Sequence, residues 1–273
     1  VPAGHFNVEP YVYAVANTGN YGHHWKSTSS PTFWNNNVQL DFTFGLTHWL
    51  DFQFNPILFY NTTQGVSDWE LGDMPIGFDI QIINWGVLSQ STHALKLILK
   101  ETLPIGQYQK LNPNKKGTDV GGGGSWQTSF GLAWGSLYYL GRERFLNIRL
   151  TCQYTLPAPV SVKKLNVYGG GPGTHGTVYP AQSFQIDNAF ELNLTQRWAI
   201  AMDFIAQWNG KTRFKGKTSL TNTSPPSAQF SLAPALEYNL SADVGFIAGP
   251  WFTIAGRNAI QFTGAVAAFN YYH

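Results

Sequence analysis

The chain has 273 residues, a formal net charge of +2 and only 12% charged residues, about half the roughly 25% of a soluble protein, with aromatic residues at 15%. Such a surface would be poorly solvated as a water-soluble globule, and no basic patch interleaved with stacking aromatics points to nucleic acid. No stretch approaches the roughly 20 apolar residues of a membrane helix, so a lipid-embedded form must satisfy its backbone by closing a sheet.

In chain order, segments alternating apolar and polar residues recur at about 5–16, 36–47, 50–61, 72–85, 92–103, 126–139, 144–156, 182–195, 198–209, 227–240, 244–255 and 259–271. The run from Phe145 is the clearest. Leu146, Ile148, Leu150, Cys152, Tyr154 and Leu156 share one face, and Asn147, Arg149, Thr151, Gln153 and Thr155 share the other. Short turns are expected near 47–49, 141–144, 195–197 and 241–243. Long polar loops are expected near 17–35, 62–71, 104–125, 157–181 and 210–226, and only the connection at 256–258 breaks that asymmetry. The pattern predicts an all-β fold, a transmembrane antiparallel up-and-down β-barrel of about twelve strands, forming a single domain over 1–273. Short periplasmic turns, long extracellular loops and periplasmic termini follow. Val1 opens no cationic and apolar leader, so the secretory signal that export to a Gram-negative outer membrane requires is expected to have been removed from this numbering. A lipocalin-like barrel or a sandwich also alternates, but its solvent face would be richer in charge.

The register sends even-numbered residues such as Val38, Phe42, Phe52, Phe78, Ile186, Ile200 and Met202 toward lipid, and Leu95, Leu97 and Leu99 on a strand of opposite parity. Trp198, Tyr138 and Tyr238 are expected at one interface, with Trp126, Tyr154 and Trp208 at the other. The inward face then carries Glu9, Asp41, Asp51, Asp73, Asp79, Asp187, Glu191, Asp203 and Glu237 against Lys96, Lys100 and Arg149. These are the expected pore-lining residues of a narrow, wet, acidic lumen, although ion pairing that zips the wall together would place the same charges inward. Tyr11, Tyr13, Phe59 and Trp251 offer inward rings for stacking against a solute, or for packing the wall. Lys110, Lys115, Lys116, Lys163, Lys164, Lys211, Arg213, Lys215 and Lys217 crowd the outer loops, suited to the phosphates of lipopolysaccharide or to drawing in anionic solutes.

No spacing of His, Cys or carboxylate resembles a metal or haem site, no cofactor is expected, and the lone Cys152 reads as a small buried hydrophobe. The glycine runs 121–124 and 169–173 lack the following helix and Gly-Lys-Ser of a phosphate loop and read as mobile loop segments. His23, His24 and His175 with Asp68 and Asp119 supply the residue types of a surface hydrolase but no recognisable motif, so no catalytic residue is assigned.

Gly72-Asp73-Met74-Pro75-Ile76-Gly77, the strand from Leu95 that ends Leu103-Pro104-Ile105-Gly106, and Gly123-Gly124-Ser125-Trp126-Gln127 resemble the outer-membrane β-barrel transporters of the MetA-pathway of phenol degradation family. The resemblance implies a barrel that passes small, often aromatic or hydrophobic, compounds. The function expected is passive uptake of small solutes through a porin-like channel set in outer-membrane lipid. The alternatives are a barrel-anchored surface or adhesion protein that works through its basic loops and, behind it, an outer-membrane hydrolase.

Overall fold

The computed structural model describes residues 1–217 and 224–273; the centre of the expected 210–226 loop lies outside the described residues. In chain order the strands are β1 Phe6–Tyr21, β2 Ser27–Gly45, β3 Leu50–Phe54, β4 Ile57–Thr63, β5 Val66–Leu71, β6 Met74–Val87, β7 Ser91–Leu103, β8 Gln127–Gly141, β9 Arg144–Pro157, β10 Val160–Lys163, β11 His175–Tyr179, β12 Ser183–Asn193, β13 Trp198–Asn209, β14 Arg213–Lys217, β15 Ser227–Asn239, β16 Val244–Arg257 and β17 Ala259–Tyr272. Among the described residues the only helix is a 3-10 turn at Pro113–Lys115.

Twelve strands run β1-β17-β16-β15-β13-β12-β9-β8-β7-β6-β3-β2, and β2 pairs back onto β1, so the antiparallel sheet closes into a barrel without an edge. Closure satisfies every wall strand on both sides, which is the condition for placing backbone in lipid. The short turns fall together at one end, here the turn end, and the long connections fall at the other, the loop end.

Alternation sorts the side chains as the pattern demands. Val38, Leu58, Phe78, Ile200, Met202 and Leu236 stand exposed on the outside. A ladder of rings, Phe6 to Phe42 at 6.1 Å, Phe42 to Phe54 at 5.0 Å and Phe52 to Phe78 at 5.6 Å, runs across adjacent strands. Each such pair contributes about 0.5–1.5 kcal/mol beyond its buried area. An apolar surface this continuous belongs against acyl chains, not water. At the turn end Trp198 packs on Tyr238 at 4.6 Å. At the loop end Phe184 stacks on Trp208 at 5.9 Å. Cys152 is half-buried on the outer face, between Leu132 and Ile186 in register, rather than fully enclosed.

Several expected loops are strands. β1 and β2 continue through the expected loop as paired strands, Gly19 with Ser29 and Tyr21 with Ser27, so the expected 17–35 loop shrinks to a turn in which Gly22 N–H donates to the Lys26 carbonyl at 2.8 Å. Its Asn, Ser and Thr residues give no apolar alternation, although Tyr21 is buried there and β1 stays paired with β17 as far as Tyr21. The expected 62–71 loop is the β4–β5 hairpin, turning at Gln64 and Gly65 with φ of 46° and 80°, the left-handed pair that a two-residue hairpin turn requires. The expected strand 50–61 is broken at Asn55-Pro56, because proline has no N–H to give the ladder.

Three connections fold into a cap at the loop end. β10, β11 and β14 form a three-stranded sheet whose inner side buries Val160, Val162 and Val178 with Tyr108, Tyr168 and Phe214 against them. Val162 and Val178 are 1% and 0% exposed, so the expected 157–181 loop has a small apolar core of its own. The glycine run at 121–124 is also packed. A Cβ on Gly122 would stand 2.1 Å from Asp73 Oδ1, and one on Gly124 2.3 Å from the Tyr108 ring, so the run is glycine because nothing larger fits, not because the segment is mobile.

Candidate functional site

The wall strands β12, β13, β15 and β17 place small residues at inward positions: Ala189, Ala201, Ala233, Ala235 and Ala268. Large side chains there would fill the barrel; alanines leave a cavity of about 460 Å3. Register interleaves charge with alanine across the strands. One row reads Arg149, Ala189, Asp203, Ala233, and the next Asn147, Glu191, Ala201, Ala235. Arg149 and Asp203 therefore stand two strands apart, about 10 Å between backbones, with only a methyl between them.

The neighbouring strands β1 and β16 bring aromatic rings to the same space. Tyr11 stacks on Tyr13 at 5.8 Å, Tyr13 meets Trp251 edge-on at 6.0 Å, and Trp251 meets Phe262 at 4.6 Å. Local hydrogen bonds hold these rings. The Tyr11 hydroxyl donates to Glu9 at 2.9 Å, and Trp251 Nε1 donates to Ser231 at 3.2 Å. Glu9 also accepts from Asn7 at 2.8 Å and from Asn270.

Of the residues expected to line a pore, Glu9, Arg149, Glu191, Asp203 and Glu237 meet at this cavity with Tyr11, Tyr13 and Trp251. Others lie inside the barrel but away from it. Asp51, 5% exposed, accepts from Lys96 at 3.0 Å and from the Val1 ammonium at 3.1 Å. Asp79, directly opposite Asp51 in register, accepts from Gln53 at 2.8 Å, and its Oδ1 has no hydrogen-bond partner among the described residues. Asp41 accepts from Gln39 at 2.6 Å and Asn55 at 2.8 Å. Lys100 sits between Gly77 and Ser129 in register, and Asp187 between Thr151 and Ile205, neither lining the cavity. Phe59 does not join the other rings; it packs against Gly72, where a Cβ would come within 2.9 Å of it.

Asp73, read as a wall charge, has a different job. It accepts from the Gly106 N–H at 2.9 Å and the Gly123 N–H at 2.7 Å, pinning both ends of the 104–125 connection. Asn61, inward on β4 and 2% exposed, donates to the carbonyls of Thr118 at 3.1 Å and Val120 at 3.2 Å. The connection is thus held inside the rim. Tyr168 seals it by donating to the Gly123 carbonyl at 2.8 Å, and burial, then the nearby Asp73 carboxylate, pushes its phenol up to about 12. Lys115 pairs with Asp68 at 2.7 Å, and that hydrogen bond raises its ammonium above the usual range.

On the outer side of the cap sheet, Lys163, His175 and Lys217 stand in one cross-strand row and Lys215 in the next. Among the described residues none of these lysines is in an ion pair. His23 and His24 meet edge-on at 5.2 Å in the β1–β2 turn, and no group of three His, Cys, Asp or Glu suited to a metal occurs among the described residues. His93 escaped the sequence reading. On the outer face at the turn end it bonds Ser136 at 2.9 Å and lies between Trp85 and Trp134, extending that aromatic belt.

No family model and no curated protein matches the sequence. Solved structures do match. The COG4313 outer membrane channel from Pseudomonas putida F1 superposes with a TM-score of 0.78 at 12% identity, over 100% of this chain and 97% of that one. The NanC porin gives 0.47 at 8% identity over 97% and 98%, and the Pseudomonas putida toluene transporter TodX 0.43 at 12% over 100% and 90%. At 12% identity the likeness to the COG4313 channel is one of fold, that of a closed β-barrel of the outer-membrane type.

Proposed function

We propose that the protein is an outer-membrane channel for passive uptake of small solutes, one at a time, through a narrow lumen with an acidic floor. The observation that carries this reading is the cavity itself. Inside a closed wall with an apolar outer face, five inward alanines keep open a space lined by Glu9, Arg149, Glu191, Asp203 and Glu237. A barrel serving only as an anchor has no need of that space, since inward side chains fill small barrels readily. The folded likeness to the COG4313 channel and the three motif-bearing segments favour the same reading.

In this setting the loop end faces outward, and Lys163, Lys215 and Lys217, in no ion pair among the described residues, face the phosphates of lipopolysaccharide, to which outward cations are suited. The reading involves no catalytic chemistry, and the barrel and its cap work as a single domain. The cap sheet's basic face also suits an adhesive role, and conductance separates the two. In planar bilayers the channel reading expects discrete openings with a cation preference, larger when the cap is loosened by Asp73→Ala. A barrel electrically silent in both forms would overturn it in favour of an anchor.

A further inference from the structure

The cavity is asymmetric in a way that uptake alone does not require. Its four carboxylates face one guanidinium, leaving three formal negative charges. They are not equally engaged. Glu9 is taken up by Asn7, Tyr11 and Asn270, and Glu237 by Asn239. Glu191 and Asp203 accept no hydrogen bond among the described residues, although each opens onto the cavity over a neighbouring alanine. Facing them is the Tyr13–Trp251 corner, anchored at Ser231, whose rings carry negative electrostatic faces.

We propose that this cavity is a binding site for a ring-bearing organic cation, an amine on an aromatic or alicyclic ring. Its ring lies against Tyr13 and Trp251, and its ammonium lies among Glu191, Asp203 and Glu237. The inference rests on the channel reading and names the class of solute that such a channel holds. A neutral aromatic would use the rings and leave the free carboxylates without a partner in a confined space. A carboxylate-bearing ring would find one arginine and four like charges. An amine satisfies both sets of groups, the carboxylates by charge pairing and the rings by stacking and cation–π attraction. The volume fits one such molecule, lying within the roughly 300–1,000 Å3 of small-molecule sites.

The test is calorimetric titration of the protein in a nonionic detergent with three probes sharing one ring: 2-phenylethylamine, 2-phenylethanol and phenylacetate. The amine should bind about tenfold more tightly than the alcohol, and the acid more weakly than either. The double substitution Glu191→Gln with Asp203→Asn should bring amine and alcohol within about twofold while leaving the alcohol unchanged, which also reports that the barrel has folded. Trp251→Leu should weaken amine and alcohol together by about two- to tenfold. Equal affinity for amine and alcohol, tightest binding of the acid, or an amine preference that survives the double substitution would overturn the proposal. Conductance of the same preparation keeps the two readings apart. Discrete openings without amine preference would sink this site and leave the channel standing, whereas amine binding by a silent barrel would keep the site and sink the channel.

Discussion

The Asp73 carboxylate accepts the Gly123 backbone N–H at 2.7 Å while its other oxygen accepts that of Gly106 at 2.9 Å, so one side chain closes a connection whose ends are 17 residues apart in sequence. Both bonds are charge-assisted, and each is worth about 1.5–3 kcal/mol. Asp73→Ala removes both, and the 104–125 connection should open about 100- to 10,000-fold more often. Tryptic cleavage after Lys115 or Lys116 should accelerate in proportion. Gly122→Ala, whose new methyl would collide with Asp73, should do the same. Unchanged cleavage in both variants would show that the clamp does not hold the connection.

The phenol of Tyr168 gives the cap a dependence on alkaline pH. An acid whose folded value lies near 12 rather than 10 binds its proton more tightly when folded. Its contribution is therefore complete below pH 10 and is lost as pH rises from 10 toward 12. Cleavage at Lys115 and Lys116 should accelerate across that window. Tyr168→Phe should cleave faster at neutral pH, for want of the bond to Gly123, and show less acceleration above pH 10. Parallel profiles for the two proteins would refute the assignment.

Asp51 and Asp79 sit directly opposite each other across β3 and β6. Like charges so placed oppose folding by about 0.2–1 kcal/mol, and among the described residues Asp51 alone of the two is in an ion pair, with Lys96 at 3.0 Å and the Val1 ammonium at 3.1 Å. Asp79→Asn should leave stability unchanged or raise it by up to about 1 kcal/mol. Lys96→Met, which strips Asp51 of that partner inside the wall, should cost about 1–3 kcal/mol. Urea unfolding midpoints in detergent give both numbers. A large loss from Asp79→Asn would mean that its charge is needed where it stands.

The wall was legible in the sequence because period-2 alternation survives wherever one face meets lipid; Ile200, Met202 and Phe204 alternate with Ala201, Asp203 and Ile205 whatever the rest of the fold does. Parity also assigns Glu9, Tyr11, Tyr13, Arg149 and Trp251 to the inside. What parity cannot supply is height along the axis and the neighbour across the lumen. It treats Asp51 and Asp203 alike, although one is tied to Lys96, 45 residues away, and the other opens on the cavity. The hollow itself had a signal that went unread, namely alanine at inward positions on neighbouring strands. Beyond the lipid-facing wall the buried positions are small, polar or few, as with Gly19 and Tyr21 in the β1–β2 extension, Asn61 and Thr63 in the β4–β5 hairpin and Val160 and Val162 in the four-residue β10, and so short or polar a pattern hid all three.

The account depends most on which side of the wall each residue faces, and the protein's single cysteine makes this directly measurable. In a Cys152→Ala background, cysteines placed one at a time from 200 to 205 and spin-labelled in lipid vesicles report their contact with oxygen dissolved in the bilayer and with a water-soluble nickel chelate. The account predicts oxygen contact peaking at 200, 202 and 204 and chelate contact peaking at 201, 203 and 205. The opposite phase, or no alternation at all, would contradict it.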